Sequence, residues 1–227
     1  RVLIDSCLGR PGSFGSNNKF RAGFNESEEW GFSQLGGNSY LNVSALSFDA
    51  TDGTVDNSPS HYFEHNSSNN LFHLQWYGYP TVDIWQDTGD HVHIWYIDNE
   101  NFTQKNASDN STAYSHTSDA TKGNYFTYIQ KISQDGSIYW TRDQWGTSSG
   151  GAVKEQAWGQ TVKTLSDGSF LASFRLEQAA NTFISETSGA NYTVVPDSAI
   201  TGDKIILVRF TSNGDVTWSS TFGCTVG

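Results

Sequence analysis

Two ten-residue stretches of this 227-residue chain align without a gap. Lys131-Ile-Ser-Gln-Asp-Gly-Ser-Ile-Tyr-Trp140 lies on Arg209-Phe-Thr-Ser-Asn-Gly-Asp-Val-Thr-Trp218. Each reads as strand, two-residue turn, strand, because Asp135-Gly136 and Asn213-Gly214 are strong hairpin signals that exploit residues tolerant of positive φ. Trp140 and Trp218 fall at the same place after the turn, and each stretch runs on to an aromatic-Gly step, Trp145-Gly146 and Phe222-Gly223. Self-similarity at a fixed spacing points to repeated units that bury their faces against one another.

An upstream hairpin belongs to each unit. Thr161 to Phe174 turns at Asp167-Gly168, Thr81 to Trp95 turns near Thr88-Gly89, and Phe32 to Val43 reads as a third copy. In that copy the second hairpin is expected from His61–Glu64 paired with Leu71–Tyr77. Trp30-Gly31 and Trp158-Gly159 open the first and third copies. The expected unit is therefore four strands, with a variable polar loop between its two hairpins, at 47–60, 102–123 and 178–202. Three units are expected over 31–80, 81–146 and 159–223, with a closing half unit over 1–30 whose strands are Val2–Ser6 and Lys19–Phe24. The whole of 1–227 reads as one repeat-built, all-β antiparallel domain.

Strand composition agrees. Tyr40–Leu46, Val92–Ile97, Tyr125–Ile132, Phe170–Leu176 and Lys204–Phe210 are rich in β-branched and aromatic residues and bounded by turn formers. The run Ile205-Ile-Leu-Val208 is almost continuously apolar, as in a strand covered on both faces. No helical period stands out, and the nearest helical candidate is Ala152–Gln160. Charged residues are 16% of the chain, against roughly 25% in an ordinary domain, while aromatics reach 14%. That balance excludes a helical bundle and a disordered tail.

The units resemble the propeller-like four-stranded repeats of secreted bacterial surface proteins. The best match is Trp158-Gly159, Ser166-Asp-Gly-Ser-Phe170, Asp203-Lys-Ile-Ile-Leu-Val-Arg-Phe210, Asn213-Gly214, Val216-Thr-Trp218 and Thr221-Phe-Gly223. The 81–146 unit matches in its second half, and the first unit and the N-terminal half unit match loosely. The resemblance implies four-stranded blades around an axis and no particular activity. Three units and a half leave a ring unclosed. Either further sequence completes it, or another subunit adds strands to the open edges.

The chain starts at Arg1, contains no Met, and shows no charged-then-apolar leader, which suggests a processed chain or an excised piece. Cys7 and Cys224 are its two cysteines. A bond between them would restrict the unfolded chain by several kcal/mol; unpaired thiols, or bonds to other chains, are the alternatives. N-glycosylation sequons occur at Asn25, Asn42, Asn66, Asn101, Asn106, Asn110 and Asn191, three of them in one polar stretch that suits a glycosylated surface loop. Together these features favour an extracellular or cell-surface glycoprotein.

The net charge of −11 repels phosphate, which argues against nucleic acid and anionic membrane as partners. No apolar run reaches membrane-spanning length, so no membrane insertion is expected. His91 and His93 share a strand face and could join His73 on a metal, but no carboxylate or thiolate stands at telling spacing, and packing is the better reading. Asp49, Asp52 and Asp56 have the oxygen density of a calcium loop without the alternate-residue spacing of an EF-hand; no other cofactor is expected. Among the tryptophans, Trp76, Trp85, Trp95, Trp140 and Trp145 could stack on sugars, but the repeated Trp140 and Trp218 read better as packing between blades. Tyr77, Tyr79 and Trp145 do not stand at that repeated tryptophan position and are the ligand candidates. Glu26, Glu28 and Glu29 read as a solvated turn rather than a catalytic pair. No nucleophile elbow, phosphate loop or cysteine cluster is present, so no catalytic residue is expected.

The sequence thus favours a non-catalytic extracellular glycoprotein with a structural or adhesive role, such as a subunit of a filament or coat. Its partners would be copies of itself or other surface proteins joined through open strand edges. A carbohydrate-binding module is the alternative, and a glycan hydrolase or lyase on a propeller scaffold is third.

Overall fold

The computed structural model describes residues 13–14, 19–23, 40–49, 55–65, 81–85, 87–98, 101–106, 108–119, 121–122, 125–146, 157–176, 182–195 and 204–223. Among them are sixteen strands and no helix, and every strand pairing is antiparallel.

The strands form three four-stranded blades. Blade 1 is β1 (Ser13–Phe14), β2 (Lys19–Gly23), β3 (Tyr40–Asp49) and β4 (Val55–His65). Blade 2 is β5 (Thr81–Ile84), β6 (His91–Asp98), β9 (Tyr125–Ile132) and β10 (Ile138–Gly146). Blade 3 is β11 (Ala157–Thr164), β12 (Phe170–Leu176), β15 (Lys204–Phe210) and β16 (Val216–Gly223). The two remaining hairpins, β7–β8 (Phe102–Asn106, Thr112–His116) and β13–β14 (Thr182–Ser185, Asn191–Val194), come from the segments read as variable loops. Each crosses to the preceding blade. β7 pairs with β4, extending blade 1 to the order β1-β2-β3-β4-β7-β8, and β13 pairs with β10, extending blade 2 to β14-β13-β10-β9-β6-β5.

The register confirms the repeat. Lys131 faces Trp140 and Ile132 faces Ile138, with a bulge between; Arg209 faces Trp218 and Phe210 faces Val216, with a bulge at the same place. A bulge kept at one position sharpens the local twist identically in both blades. The turns differ from the two-residue reading. Ser133 N donates to Ser137 O at 2.8 Å and Gly136 N to Ser133 O at 3.1 Å, enclosing three loop residues. The same pair of bonds closes 165–169, 186–190 and 211–215. Only the final loop residue is left-handed, with φ of 98° at Gly136, 80° at Gly168, 78° at Gly189 and 81° at Gly214. This is the three-residue hairpin with glycine at its bulge, in which the preceding Asp or Asn needs no positive φ. Asp135 Oδ1 and Asp167 Oδ1 accept from the backbone N of Ser137 and Ser169, each at 3.0 Å, which secures those two turns further.

Blades 2 and 3 share one core. Val92, Ile94, Ile129 and Trp85 of blade 2 pack against Val162, Phe170, Phe174, Ile206, Val208 and Phe210 of blade 3. Phe170 and Phe210 stack at 4.6 Å with 4° between their planes; Trp140 stacks on Phe170 at 6.0 Å and Trp85 meets it edge-on at 6.0 Å. The other face of blade 2 mixes apolar and polar groups, with Val82, Ile84, Tyr128 and Ile132 buried beside the polar side chains. His91 and His93 are buried there, and Gln130 Nε2 donates to Gln104 Oε1 of β7 at 2.8 Å and to Thr141 Oγ1 at 3.0 Å.

Several expectations change. β4 has β3 on one edge and β7 on the other, so Leu71–Tyr77 does not pair with His61–Glu64. β2 pairs with both β1 and β3, so the half unit of 1–30 and the start of the 31–80 unit form one blade. Most of the 47–60 loop is strand, since β3 runs to Asp49 and β4 starts at Val55. From Ala157 onward the helical candidate is strand β11. Val2–Ser6 lies outside the described residues.

Candidate interaction surface

Strand alternation gives blades 2 and 3 a face toward the preceding blade and a face toward the following one. In β9, Thr127, Ile129 and Lys131 face forward, and in β10 so do Trp140, Arg142 and Gln144, which stand opposite them or nearly so. The following blade covers this surface. Trp140 Nε1 donates to Ser212 O at 3.0 Å, and Arg142 reaches Asn213 O at 2.7 Å and Thr187 Oγ1 at 2.6 Å. Thr127, Ile129 and Gln144 are each 0% exposed.

The repeat register places Ile205, Leu207 and Arg209 of β15, and Trp218, Ser220 and Phe222 of β16, at the corresponding positions of blade 3. Here the surface is open among the described residues. Ile205 is 50% exposed, Phe222 53% and Trp218 39%. Among the described residues β15 is thus covered on its Ile206, Val208 and Phe210 side, not on both faces as its apolar run suggested. Trp218, expected to pack between blades like Trp140, is packed by no further blade among the described residues. Two positions become more apolar as they become more exposed: Thr127 corresponds to Ile205, and Gln144 to Phe222. β16 also ends its sheet, whereas β4 and β10 each carry a hairpin on that edge. Its sequence, VTWSSTFG, has neither charge nor proline to blunt the edge.

The blade 2–blade 3 joint also has a polar clamp. Asp83 Oδ2 accepts from Thr164 N at 2.7 Å and Thr164 Oγ1 at 2.9 Å, with Lys163 Nζ at 3.0 Å. On the other side of blade 2, the Tyr128 hydroxyl meets His116 Nδ1. Burial holds His116 below the ordinary histidine value, and burial, with Asp143 behind it, pushes Tyr114 up to about 12.

Trp145, a ligand candidate from sequence, is 7% exposed, with Phe183 stacked on it at 5.9 Å and Lys122 Nζ 4.4 Å from its ring centre. It serves the joint between β10 and the added hairpin and leaves little ring for a ligand. Tyr77, Tyr79, His73, Trp76, Glu26, Glu28, Glu29, Asp52, Cys7 and Cys224 lie outside the described residues. Asp49 ends β3 and Asp56 lies in β4, on either side of the same connection. His91 and His93 touch at 4.6 Å between ring centres, and no group of three metal-ligating residues occurs among the described residues.

Of the sequons, Asn25 and Asn66 lie outside the described residues and Asn42 lies in β3. Asn101 immediately precedes β7, Asn106 and Asn110 flank the β7–β8 turn, and Asn191 opens β14. Asn101, Asn110 and Asn191 are exposed. The four therefore cluster on, or at the entry to, the hairpins that cross between blades. Among the described residues no helix is long and apolar enough to cross a membrane.

No known protein family matches the sequence, and no curated protein matches it. Among solved structures, the chain is similar to the crystal structure of BamB from Moraxella catarrhalis, at 12% identity and a TM-score of 0.30. The match covers 92% of this chain and 63% of that one, so the chain spans less than two thirds of its length. A likeness of that size assigns neither activity nor partner.

Proposed function

We propose that the protein is a non-catalytic, extracellular structural or adhesive protein that works by joining blades into larger assemblies. The carrying observation is the open forward face of blade 3, whose Ile205, Trp218 and Phe222 occupy positions that blade 2 buries against its neighbour. Exposed apolar groups clustered on a blade-packing surface mark an interaction site. The extracellular placement is supported by sequons collected on the crossing hairpins, where a glycan would project from exposed turns without entering the core.

Electron microscopy of natively purified protein, without reductant, tests this reading. Ordered filaments, sheets or closed multi-subunit rings are expected. Dispersed single-chain particles at every concentration would refute the assembly role.

A carbohydrate-binding reading is favoured by one observation, the exposed indole of Trp218 beside Arg209 on the same face. Aromatic faces stack on the apolar side of sugar rings. Saturable binding of a neutral glycan by the single chain, lost in Trp218→Ala, would put this reading first.

A further inference from the structure

We propose that Tyr114, His116, Tyr128 and Asp143 form a binding site for a hard trivalent cation, ferric iron, where the crossing hairpin β7–β8 meets blade 2. The cluster is separate from the open face of blade 3, so this site and the assembly reading can each fail alone. Histidine, cysteine and carboxylates by themselves make no group of three among the described residues; here two phenols complete the set.

Strand geometry brings the four side chains together. Tyr114 and His116 are two residues apart on β8 and share a face. Tyr128 of β9 and Asp143 of β10 stand directly opposite each other and share a face of blade 2. The Tyr128 hydroxyl meets His116 Nδ1 and also hydrogen-bonds Tyr114. Asp143 acts electrostatically on all three rings. Phe102 fixes two of them: it stacks on His116 at 5.3 Å between ring centres and meets Tyr128 edge-on at 5.5 Å. Tyr128 is buried, whereas Tyr114, His116 and Asp143 are half-buried. β8 ends its sheet, which leaves the cluster open at that side among the described residues.

Oxygen donors suit hard cations, and imidazole suits iron. Donors bound to one small cation at about 2.0–2.2 Å stand about 3 Å from each other, which is also the spacing of hydrogen-bond partners. A cation would therefore take the place of the protons that now join the cluster. The Tyr114 and Tyr128 hydroxyls would each release a proton to water. Their oxygens, His116 Nδ1 and an Asp143 oxygen would then bind the metal. Two phenolates and one carboxylate cancel three positive charges, as a site of low dielectric requires; a divalent ion would leave a net negative charge there. Burial, with Asp143 behind it, pushes both phenols up, Tyr114 to about 12, so a strongly polarising ion is needed to deprotonate them near neutral pH. Burial also holds His116 below its ordinary value, so its ring is available as a neutral ligand. Lys122 Nζ pairs with Asp143 Oδ2 at 3.0 Å, and its ammonium opposes a cation.

The test titrates ferric nitrilotriacetate into the full chain and follows its absorbance. Saturation at one iron per chain is expected, with a visible phenolate-to-iron charge-transfer band. Tyr128→Phe is expected to abolish the band. Tyr114→Phe and His116→Gln are expected to weaken binding by at least about tenfold, the loss typical of even an outer-shell partner, with the wild-type circular dichroism kept. Lys122→Ala is expected to tighten binding by removing the opposing charge. Tyr139→Phe removes an exposed phenol beside the β9–β10 turn and is expected to bind as wild type does. No band, iron bound without saturation as an adventitious ion only, or a band kept in both Tyr114→Phe and Tyr128→Phe would overturn the site.

Discussion

The indole of Trp140 closes over Gly214 so tightly that a methyl group on that glycine would stand 3.0 Å from two ring carbons and 3.1 Å from Arg142 Cγ. The glycine is also at φ +81°, where an L side chain is strained. Gly214→Ala is therefore expected to destabilise the protein by about 1–3 kcal/mol through backbone strain, and further through the displaced ring. Gly189→Ala separates the two effects, since Gly189 has φ +78° and nothing within 4 Å of an added Cβ. Equal losses by chemical denaturation would mean that Trp140 yields freely and that the blade joint is looser than the geometry implies.

Phe170 lies at the centre of the shared core, fully buried between Phe210, Trp140 and Trp85. Phe170→Ala should cost about 3–5 kcal/mol, the range for emptying an aromatic site that cannot collapse. Urea denaturation followed by tryptophan fluorescence measures it, with both Trp85 and Trp140 reporting. A loss below about 1 kcal/mol, the size typical of an average point mutation, would contradict a common core for blades 2 and 3.

Asp83 holds the edge of blade 2 to blade 3 through two hydrogen bonds to Thr164. Asp83→Ala should cost about 1.5–3 kcal/mol, because charge-assisted bonds to a buried carboxylate are lost and the Thr164 amide is left without its acceptor. Lys163→Ala should be nearly silent, at under about 1 kcal/mol, since its ammonium is mostly in water. Comparable losses in the two variants would assign the clamp to the ion pair instead.

His116 makes stability depend on pH. Burial is the main cause that keeps it below its ordinary value of 6.5; Lys122 acts the same way, while Asp143 and Asp119 oppose. In the unfolded chain His116 takes up a proton near that ordinary value, but in the folded chain it stays neutral to lower pH. Between the two values the unfolded state binds more protons, so stability falls as pH is lowered through the window and gains nothing from this group above it. The melting temperature of His116→Gln should accordingly vary less than that of wild type between about pH 7 and the folded value. Parallel curves would show that His116 titrates normally.

Much of this fold is readable from residue types alone. Tyr125–Ile132, Phe170–Leu176 and Lys204–Phe210 appear as strands with the same bounds in sequence and structure, because each is a β-branched, aromatic run closed by Gly, Asp or Ser. The crossing hairpins went unread because their apolar positions are few. In Phe102–Asn106 the buried positions are Phe102 and Gln104, and a buried glutamine carries no apolar signal. Ser188-Gly189 ahead of Asn191-Tyr-Thr-Val194 was the clue to β13–β14. Blade 1 divides differently from the sequence reading because the first half of β4, Val55-Asp-Asn-Ser-Pro-Ser60, is polar and carries a proline, which reads as loop. The exposed surface is half legible: the repeat singles out Trp218, but only the pairing puts exposed Ile205 and Phe222 at the positions of buried Thr127 and Gln144.

The back-reaching hairpins also govern how the molecule responds to load. Gln144, Trp145 and Gly146 are held by strands that belong, in sequence, to the next unit. Blades 2 and 3 therefore do not melt alone: loss of blade 3 would strip two strands from the sheet of blade 2, and loss of blade 2 would strip two from that of blade 1. Nearest-neighbour coupling of this kind raises the cooperativity of a stacked array. Under tension a blade would have to shear its own ladder and its neighbour's in the same event.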